Sequence, residues 1–222
     1  MEQKVLNALT LCPLFAGMTP TEIEIAMSGA GYRLVHYDSH DIFTLAGMPC
    51  RYADIIVSGV LICRMSSISG KQVEVSRLRK GNIVAPAFIF GKNHNMPVGV
   101  ETGSDVTVLR MQRDTFDRLL RDNWQLTENF IRVLSNINIF LTRRMRVLSL
   151  FTVREKVAWL LLERAGEQGS NVIHLYRSRQ EIADSFGIQK FSLLRVLADM
   201  QKEGAISING KEITIIDRSK LK

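Results

Sequence analysis

The forty residues from Ser178 to Asp217 constrain the fold of this chain more than any other stretch. Ser178 followed three residues later by Glu181 is a capping box, which satisfies the orphan amides at a helix start. Gly187 falls where two helices must be joined by a sharp turn, and glycine tolerates the positive φ such a turn requires. Around it the inward positions are Ile182, Ala183, Phe186, Ile188, Leu193 and Val196, all apolar, with the small Ala183 where two helices approach closely. The outward positions of the second helix are Gln189, Lys190, Ser192 and Arg195, side chains able to reach base edges or phosphates. After them, Ile206 to Ile215 alternates apolar and polar residues around Asn209-Gly210, the signature of a tight hairpin. Caps, turn, core spacing, polar face and hairpin all agree on a helix-turn-helix followed by a two-stranded wing, and so on double-stranded DNA as a partner.

The charge distribution agrees with that placement. Of a net charge of +7, only +1 lies before Arg143 and +6 from Arg143 onward, where phosphates would have to be neutralised. Much of the excess comes from Arg143, Arg144 and Arg146, and basic faces are also common on solvated helices. A hydrophobic content of 46% and a charged content of 23% describe a globular chain with a proper core. No apolar run of about eighteen residues is present to span a membrane. The start MEQKVLNALTLCPLF lacks the basic end and long apolar core of a signal peptide, so a cytoplasmic location is expected. Cys12, Cys50 and Cys63 are odd in number and without a C-x-x-C pair, which argues for buried thiols over disulfides or a metal cluster.

Thr19-Pro20-Thr21-Glu22 reads as a capped helix start, with the helix running through about Ser28. From about Tyr32 to Met111 the chain breaks into short strand-like runs, among them Asp54–Cys63, Val73–Leu78 and Val106–Met111. Glycine turns at Gly59, Gly70, Gly81 and Gly103 separate them, the pattern of an antiparallel sandwich or barrel. Helix resumes at Asp114–Arg121 and then from about Gln125 to Ser149. In the longer segment Phe130, Val133, Ile137, Phe140 and Val147, with Leu134, Leu141 and Leu148, keep a three-four spacing. That spacing fits a dimer seam or a helix packed on its own domain, with Asn136 and Asn138 as polar interruptions that set register or face solvent. Thr152 and Glu155 form another capping box immediately afterwards, which reads as a hinge and domain boundary. The expected class is α+β: a β-roll (jelly-roll) sensor domain over residues 1–123, a long dimerisation helix and hinge over 124–151, and a winged helix-turn-helix domain over 152–222.

This layout, together with SRQEIADSFG at 178–187 and the hairpin ending near Ile216, resembles the Crp/Fnr family along essentially the whole chain. The resemblance implies a homodimeric transcription regulator that reads a palindromic DNA site and engages RNA polymerase. In it Ser178, Arg179 and Gln180 match positions that contact phosphate, and Lys190, Ser192 and Arg195 positions that read base edges, with Gln189 beside them. Phe191 departs from the glutamate many members place there, and an aromatic favours a thymine methyl over cytosine N4. Leu78-Arg79-Lys80-Gly81-Asn82 looks like the approach to the family's phosphate-binding segment. Cyclic-nucleotide members follow it with a Gly-Glu pair and an Arg-Ser pair; here stand Ala85-Pro86 and Met96-Pro97. Without an arginine a desolvated cyclic phosphate has no charge-assisted partner, so cyclic AMP is not expected to bind.

Met65–Lys71 followed by Gly81–Phe88 is similar to the HcpR branch, whose members respond to nitrosative stress through haem. An apolar effector pocket is expected from Pro86, Phe88, Phe90, Met96 and Pro97, residues that any small barrel also needs for its core. If haem binds, His36, His40, Cys50, Met65, His94 and Met96 are the residue types able to ligate iron, with Met65 and His94 the first candidates. Two alternatives stand beside this reading: a constitutive DNA-binding dimer whose β-roll is only a scaffold, and a cupin-like metalloenzyme. The latter needs clustered histidines, and only four are present with no H-x-H among them.

Overall fold

The computed structural model describes residues 1–66 and 72–221; the Ser69-Gly70 turn and most of the Met65–Lys71 segment lie outside the described residues. The chain packs as two units, Met1–Ile139 and Phe140–Lys222, each around its own apolar core.

The first unit opens with α1 (Gln3–Leu9), a 3-10 turn (Pro13–Phe15) and α2 (Pro20–Ser28). Helix α2 starts on the expected capping box: Thr19 Oγ1 accepts from the Glu22 amide at 3.3 Å, and the Thr19 amide donates to Glu22 Oε2 at 2.7 Å. Helix α1 carries no such signal, because Glu2 at its N-cap makes no side-chain cap bond; Val5, Leu6, Ala8 and Leu9 form it by burial against the core.

Seven strands follow: β1 (Tyr32–Tyr37), β2 (Ile42–Thr44), β3 (Tyr52–Ser58), β4 (Leu61–Ser66), β5 (Gln72–Leu78), β6 (Gly99–Thr102) and β7 (Val106–Gln112). They form two antiparallel sheets, in the orders β1-β7-β3 and β2-β6-β4-β5, the β-roll expected from the strand spacing. The strand-like run Asp54–Cys63 divides at the expected Gly59 turn into β3 and β4. Gly59 has φ +86°, and a Cβ there would stand 2.1 Å from the carbonyl oxygen of Asp105, so only glycine lets the chain turn from one sheet to the other. A four-residue helix, α3 (Pro86–Ile89), is the one helix among the described residues between β1 and β7.

Helices α4 (Arg113–Asp122) and α5 (Trp124–Leu150) come next. Helix α5 contributes to both cores: Leu126 and Phe130 are buried in the first, Val147 in the second. Asn129, also buried, donates to the carbonyl oxygens of Leu14 and Ala16, both at 2.9 Å, so its amide is satisfied within the first unit. None of the described helices is long and apolar enough to cross a membrane.

The second unit holds α6 (Val153–Gln168), β8 (Val172–His174), α7 (Arg179–Ser185), α8 (Lys190–Lys202), β9 (Ile206–Asn209) and β10 (Glu212–Ile215), closed by a 3-10 turn (Arg218–Leu221). Thr152 and Glu155 cap α6 reciprocally, as the sequence requires. The three strands pair antiparallel in the order β8-β10-β9, which makes a winged helix-turn-helix.

Candidate DNA interface and effector cavity

The helix-turn-helix is built as its residues dictate. Ser178 Oγ accepts from the Glu181 amide at 3.2 Å while the Ser178 amide donates to Glu181 Oε2 at 2.7 Å, fixing the first turn of α7. Gly187 has φ +64°, and across the turn the Ile188 amide donates to the Ala183 carbonyl at 3.0 Å. Ile182, Ala183, Phe186 and Leu193 are buried, Ile188 and Val196 pack partly against them, and Leu197 and Met200 complete the inner face of α8.

This packing leaves Gln189, Lys190, Phe191, Leu194 and Arg195 exposed on the outer face, with Ser192 half-buried between them. Among the described residues Lys190 and Arg195 have no ion-pair partner, so both cations are available to an external anion or base edge. Phe191 is 80% exposed. A phenyl ring left in water on a helix otherwise well packed offers apolar area for a partner to cover. Gln189 begins α8 through its backbone carbonyl alone, so its side chain is not spent on the cap.

The α7 residues behave differently from one another. Ser178 uses its hydroxyl in the capping box. Gln180 donates to Asp184 Oδ1 at 3.1 Å on an exposed face. Arg179 is half-buried, and its Nη2 donates to the carbonyl oxygen of Gly210 at 3.2 Å, the turn between β9 and β10. Burial lowers its pKa, and its visible work is to tie the wing to the start of α7.

An apolar cavity of about 410 Å³ lies in the first unit. Pro86, Phe88, Met96 and Pro97 line it, as read from the sequence; Phe90 instead stacks among Phe116 and Phe130. Met65 and His94 do not line it. Met65 is 53% exposed near the end of β4, and His94 is held at its backbone, where its carbonyl accepts from the Cys50 amide at 2.6 Å. His36 and His40 are exposed, and Cys50 is buried away from the cavity with a weak bond to the Tyr52 carbonyl. Of the named iron-ligand candidates the cavity therefore contains Met96 alone. Sequence reasoning missed Pro13, Cys63, Ser76, Asn82, Val133 and Ile137, which join the lining from five separate elements and loops. No local signal marks such residues, since only the fold brings them together.

Among the described residues, none that lines the cavity is charged. Burial pushes the Cys63 thiol above its ordinary range, against a hydrogen bond from Ser76, which favours the neutral thiol. The donor set does not fit a haem held by two of the expected side chains. No group of three or more His, Cys, Asp or Glu residues able to hold a metal lies together among the described residues. Ala85, at the start of α3 on the cavity wall, has φ +45° and ψ +46°, a left-handed conformation that costs a residue with a Cβ.

A β-roll bearing an apolar cavity and a winged helix-turn-helix presenting an exposed second helix define a ligand-responsive DNA-binding architecture. Comparison with known proteins agrees on both halves. The cyclic nucleotide-binding domain family matches residues 34–123, and the Crp-like helix-turn-helix domain family matches residues 155–222. The chain is 26% identical over 192 residues to the CRP-like cAMP-activated global transcriptional regulator of Mycobacterium tuberculosis, covering 82% of this chain and 83% of that one. Among solved structures, a CooA mutant from Carboxydothermus hydrogenoformans superposes with a TM-score of 0.70 at 18% identity, covering 100% of this chain and 95% of the other. FixK2 from Bradyrhizobium japonicum gives 0.66 at 18% identity, covering 86% and 96%. Residues 34–123 and 155–222 therefore match the two domain families that make up a Crp-type transcription regulator.

Proposed function

We propose that this protein is a homodimeric, cytoplasmic, sequence-specific transcription regulator whose input is an uncharged, largely apolar small molecule and not a cyclic nucleotide. One observation carries the choice of input: among the described residues, the cavity of about 410 Å³ is lined without a charged side chain. A buried cyclic phosphate would lose its hydration with no cation to replace it, a loss far larger than apolar contacts recover. The Mycobacterium relative is described as cAMP-activated. That property does not follow here, because Ala85, Pro86, Met96 and Pro97 occupy the places where a nucleotide would need polar anchors.

For the output, Gln189, Lys190, Ser192 and Arg195 read base edges in the major groove, with Arg195 suited to guanine O6 and N7 and Phe191 to a thymine methyl. Ser178, Arg179 and Gln180 lie where the backbone phosphates pass. Two such helices about 34 Å apart would read a palindromic site, with RNA polymerase the next partner. Ligand in the cavity would press on Val133 and Ile137 of α5 and shift the population of the DNA-competent state. Haem, implied by the likeness to the HcpR branch, is not adopted, since Met65 and His94 lie outside the cavity.

The test is selection of binding sites from random duplex DNA, followed by affinity titrations with and without saturating cyclic AMP and after haem reconstitution. A palindromic consensus whose affinity cyclic AMP leaves unchanged, with no Soret absorption band, is the expected result. A rise in specific affinity with cyclic AMP would overturn the assignment of the input, and binding without sequence preference would overturn the output.

A further inference from the structure

Helix α5 carries two apolar faces that share the three-four spacing but are offset around the helix. One turns inward: Phe130 and Val147 are buried in the two cores, and Val133 and Ile137 line the cavity. These are residues the spacing had offered as a dimer seam. The other face runs Ile131, Leu134, Asn138, Leu141, Met145, Leu148, a strict alternation of three and four in which the half-buried Leu134 also touches the first core. Ile131 is 54%, Leu141 55% and Met145 64% exposed, and Leu148 is exposed as well. In heptad terms these six are the a and d positions, and five of them are apolar. The e positions beside them are Ser135, Thr142 and Ser149, small and uncharged. The same stretch contains Arg132, Arg143, Arg144 and Arg146, yet none occupies an a, d or e position. A basic helix that keeps its charges off one stripe can lay that stripe against its own copy without repulsion.

Asn138 is the exception in this stripe. It is exposed and takes no side-chain hydrogen bond among the described residues. Asn129 on the same helix shows the contrast, being buried and satisfied by Leu14 and Ala16. We propose that Asn138 is the polar layer of a parallel, in-register pairing of α5 with the α5 of a second copy, and that it fixes the register of that pair. The inference rests on the homodimer reading above. In register, the two Asn138 carboxamides meet in one layer, each able to donate to and accept from the other. A slip by one heptad, or an antiparallel pairing, sets each carboxamide against aliphatic neighbours and leaves a polar group buried without a partner. The same residue weakens the seam relative to a leucine, so association stays within reach of modest changes in α5.

Sedimentation equilibrium on the full chain, with Asn138→Leu, Asn136→Leu and Leu141→Lys, separates the possibilities. Asn136 falls outside the a, d and e positions and controls for added hydrophobicity. Asn138→Leu is expected to tighten self-association by roughly tenfold or more or to admit species beyond the dimer, with Asn136→Leu unchanged. Register is read by mixing a Leu141→Cys chain with a Leu148→Cys chain under oxidation. A mixed disulfide between them requires a one-heptad slip, and it is expected in the Asn138→Leu background only. Equal affinity and equal cross-linking in both backgrounds would overturn the proposal. Leu141→Lys is expected to be monomeric; if it dimerises like the parent chain, the seam itself is wrong and the homodimer reading through α5 falls with it.

Discussion

Arg144 donates a hydrogen bond to the carbonyl oxygen of Ser185 at 2.8 Å, joining the last turns of α5 to the end of α7 across 41 residues of sequence. Ser185 is the final residue of α7, where carbonyls lack helical partners and a cation is favoured. The same guanidinium lies 4.9 Å from the Phe186 ring centroid and 5.6 Å from that of Trp159. Burial lowers the Arg144 pKa, and the carbonyl and the two ring faces offset that cost. Arg144→Ala should destabilise the C-terminal unit by about 1–3 kcal/mol, read by urea unfolding followed through Trp159 fluorescence. Arg144→Lys should recover only part, because an ammonium cannot stack on two rings while donating to Ser185. Full recovery by lysine would show that charge alone matters.

Arg110 and Asp54 form the corresponding anchor of the first unit. Both are largely buried, and the pair is bidentate at 2.7 and 2.9 Å, with the guanidinium 4.7 Å from the Tyr52 ring centroid. Asp54→Ala leaves a buried guanidinium without its carboxylate and should cost about 3–5 kcal/mol. Replacing both members with apolar residues of similar volume should cost much less. If the single and double replacements are equally damaging, packing volume and not the stranded charge is the cause.

How much of this was legible before the structure depends on whether a feature is local. The Ser178–Glu181 box, Gly187 and the Asn209-Gly210 hairpin each act over a few residues, so the winged helix-turn-helix could be read outright. The second face of α5 could not be assigned. Phe130, Val133 and Ile137 fit an inward face as well as a seam, because any apolar face of a helix repeats with the same three-four spacing. The cavity was half legible: Pro86 to Pro97 is one stretch of chain, whereas Pro13, Ser76 and Val133 reach it only through the fold. Met65 and His94 were chosen for their atoms, and nothing in the spacing said which way β4 or the loop before β6 would face.

Ala85 offers a stability gain. Its left-handed backbone costs an L-residue about 1–2 kcal/mol, and glycine avoids that while gaining about 0.4–1 kcal/mol of unfolded-state freedom. Ala85→Gly should therefore stabilise the first unit by about 0.5–1 kcal/mol, seen as a higher urea midpoint. An unchanged or lower midpoint would mean that neighbouring contacts have already absorbed the strain.

The Thr152–Glu155 box sets a pH dependence. The Thr152 amide and hydroxyl donate to Glu155 at 2.8 Å each and hold its carboxyl below the ordinary value of 4.5. A depressed folded pKa gives stability that is present above the unfolded value and lost as pH falls through the folded one. Glu155→Gln, which cannot ionise, should be less stable than the parent at neutral pH and equal to it in strong acid. A difference that persists unchanged below pH 4.5 would assign the effect to geometry instead of charge.

The recognition helix makes the sharpest claim on function. Arg195 is exposed and without an ion-pair partner among the described residues, and Phe191 presents its ring one turn earlier on the same side of α8. Arg195→Ala should weaken binding to the selected site by about 1–3 kcal/mol and relax the preference at one base pair per half-site. Lys190→Ala, if lysine meets only phosphate, should weaken specific and random duplexes alike and reduce the salt dependence by about one charge. Phe191→Ala should abolish a thymine preference at a neighbouring position without altering that salt dependence, because a methyl contact releases no counterions. Site selection repeated with each variant separates the three roles. An equal loss on specific and random DNA for Arg195→Ala would place that guanidinium on the phosphate backbone and leave sequence readout to Gln189, Phe191 and Ser192.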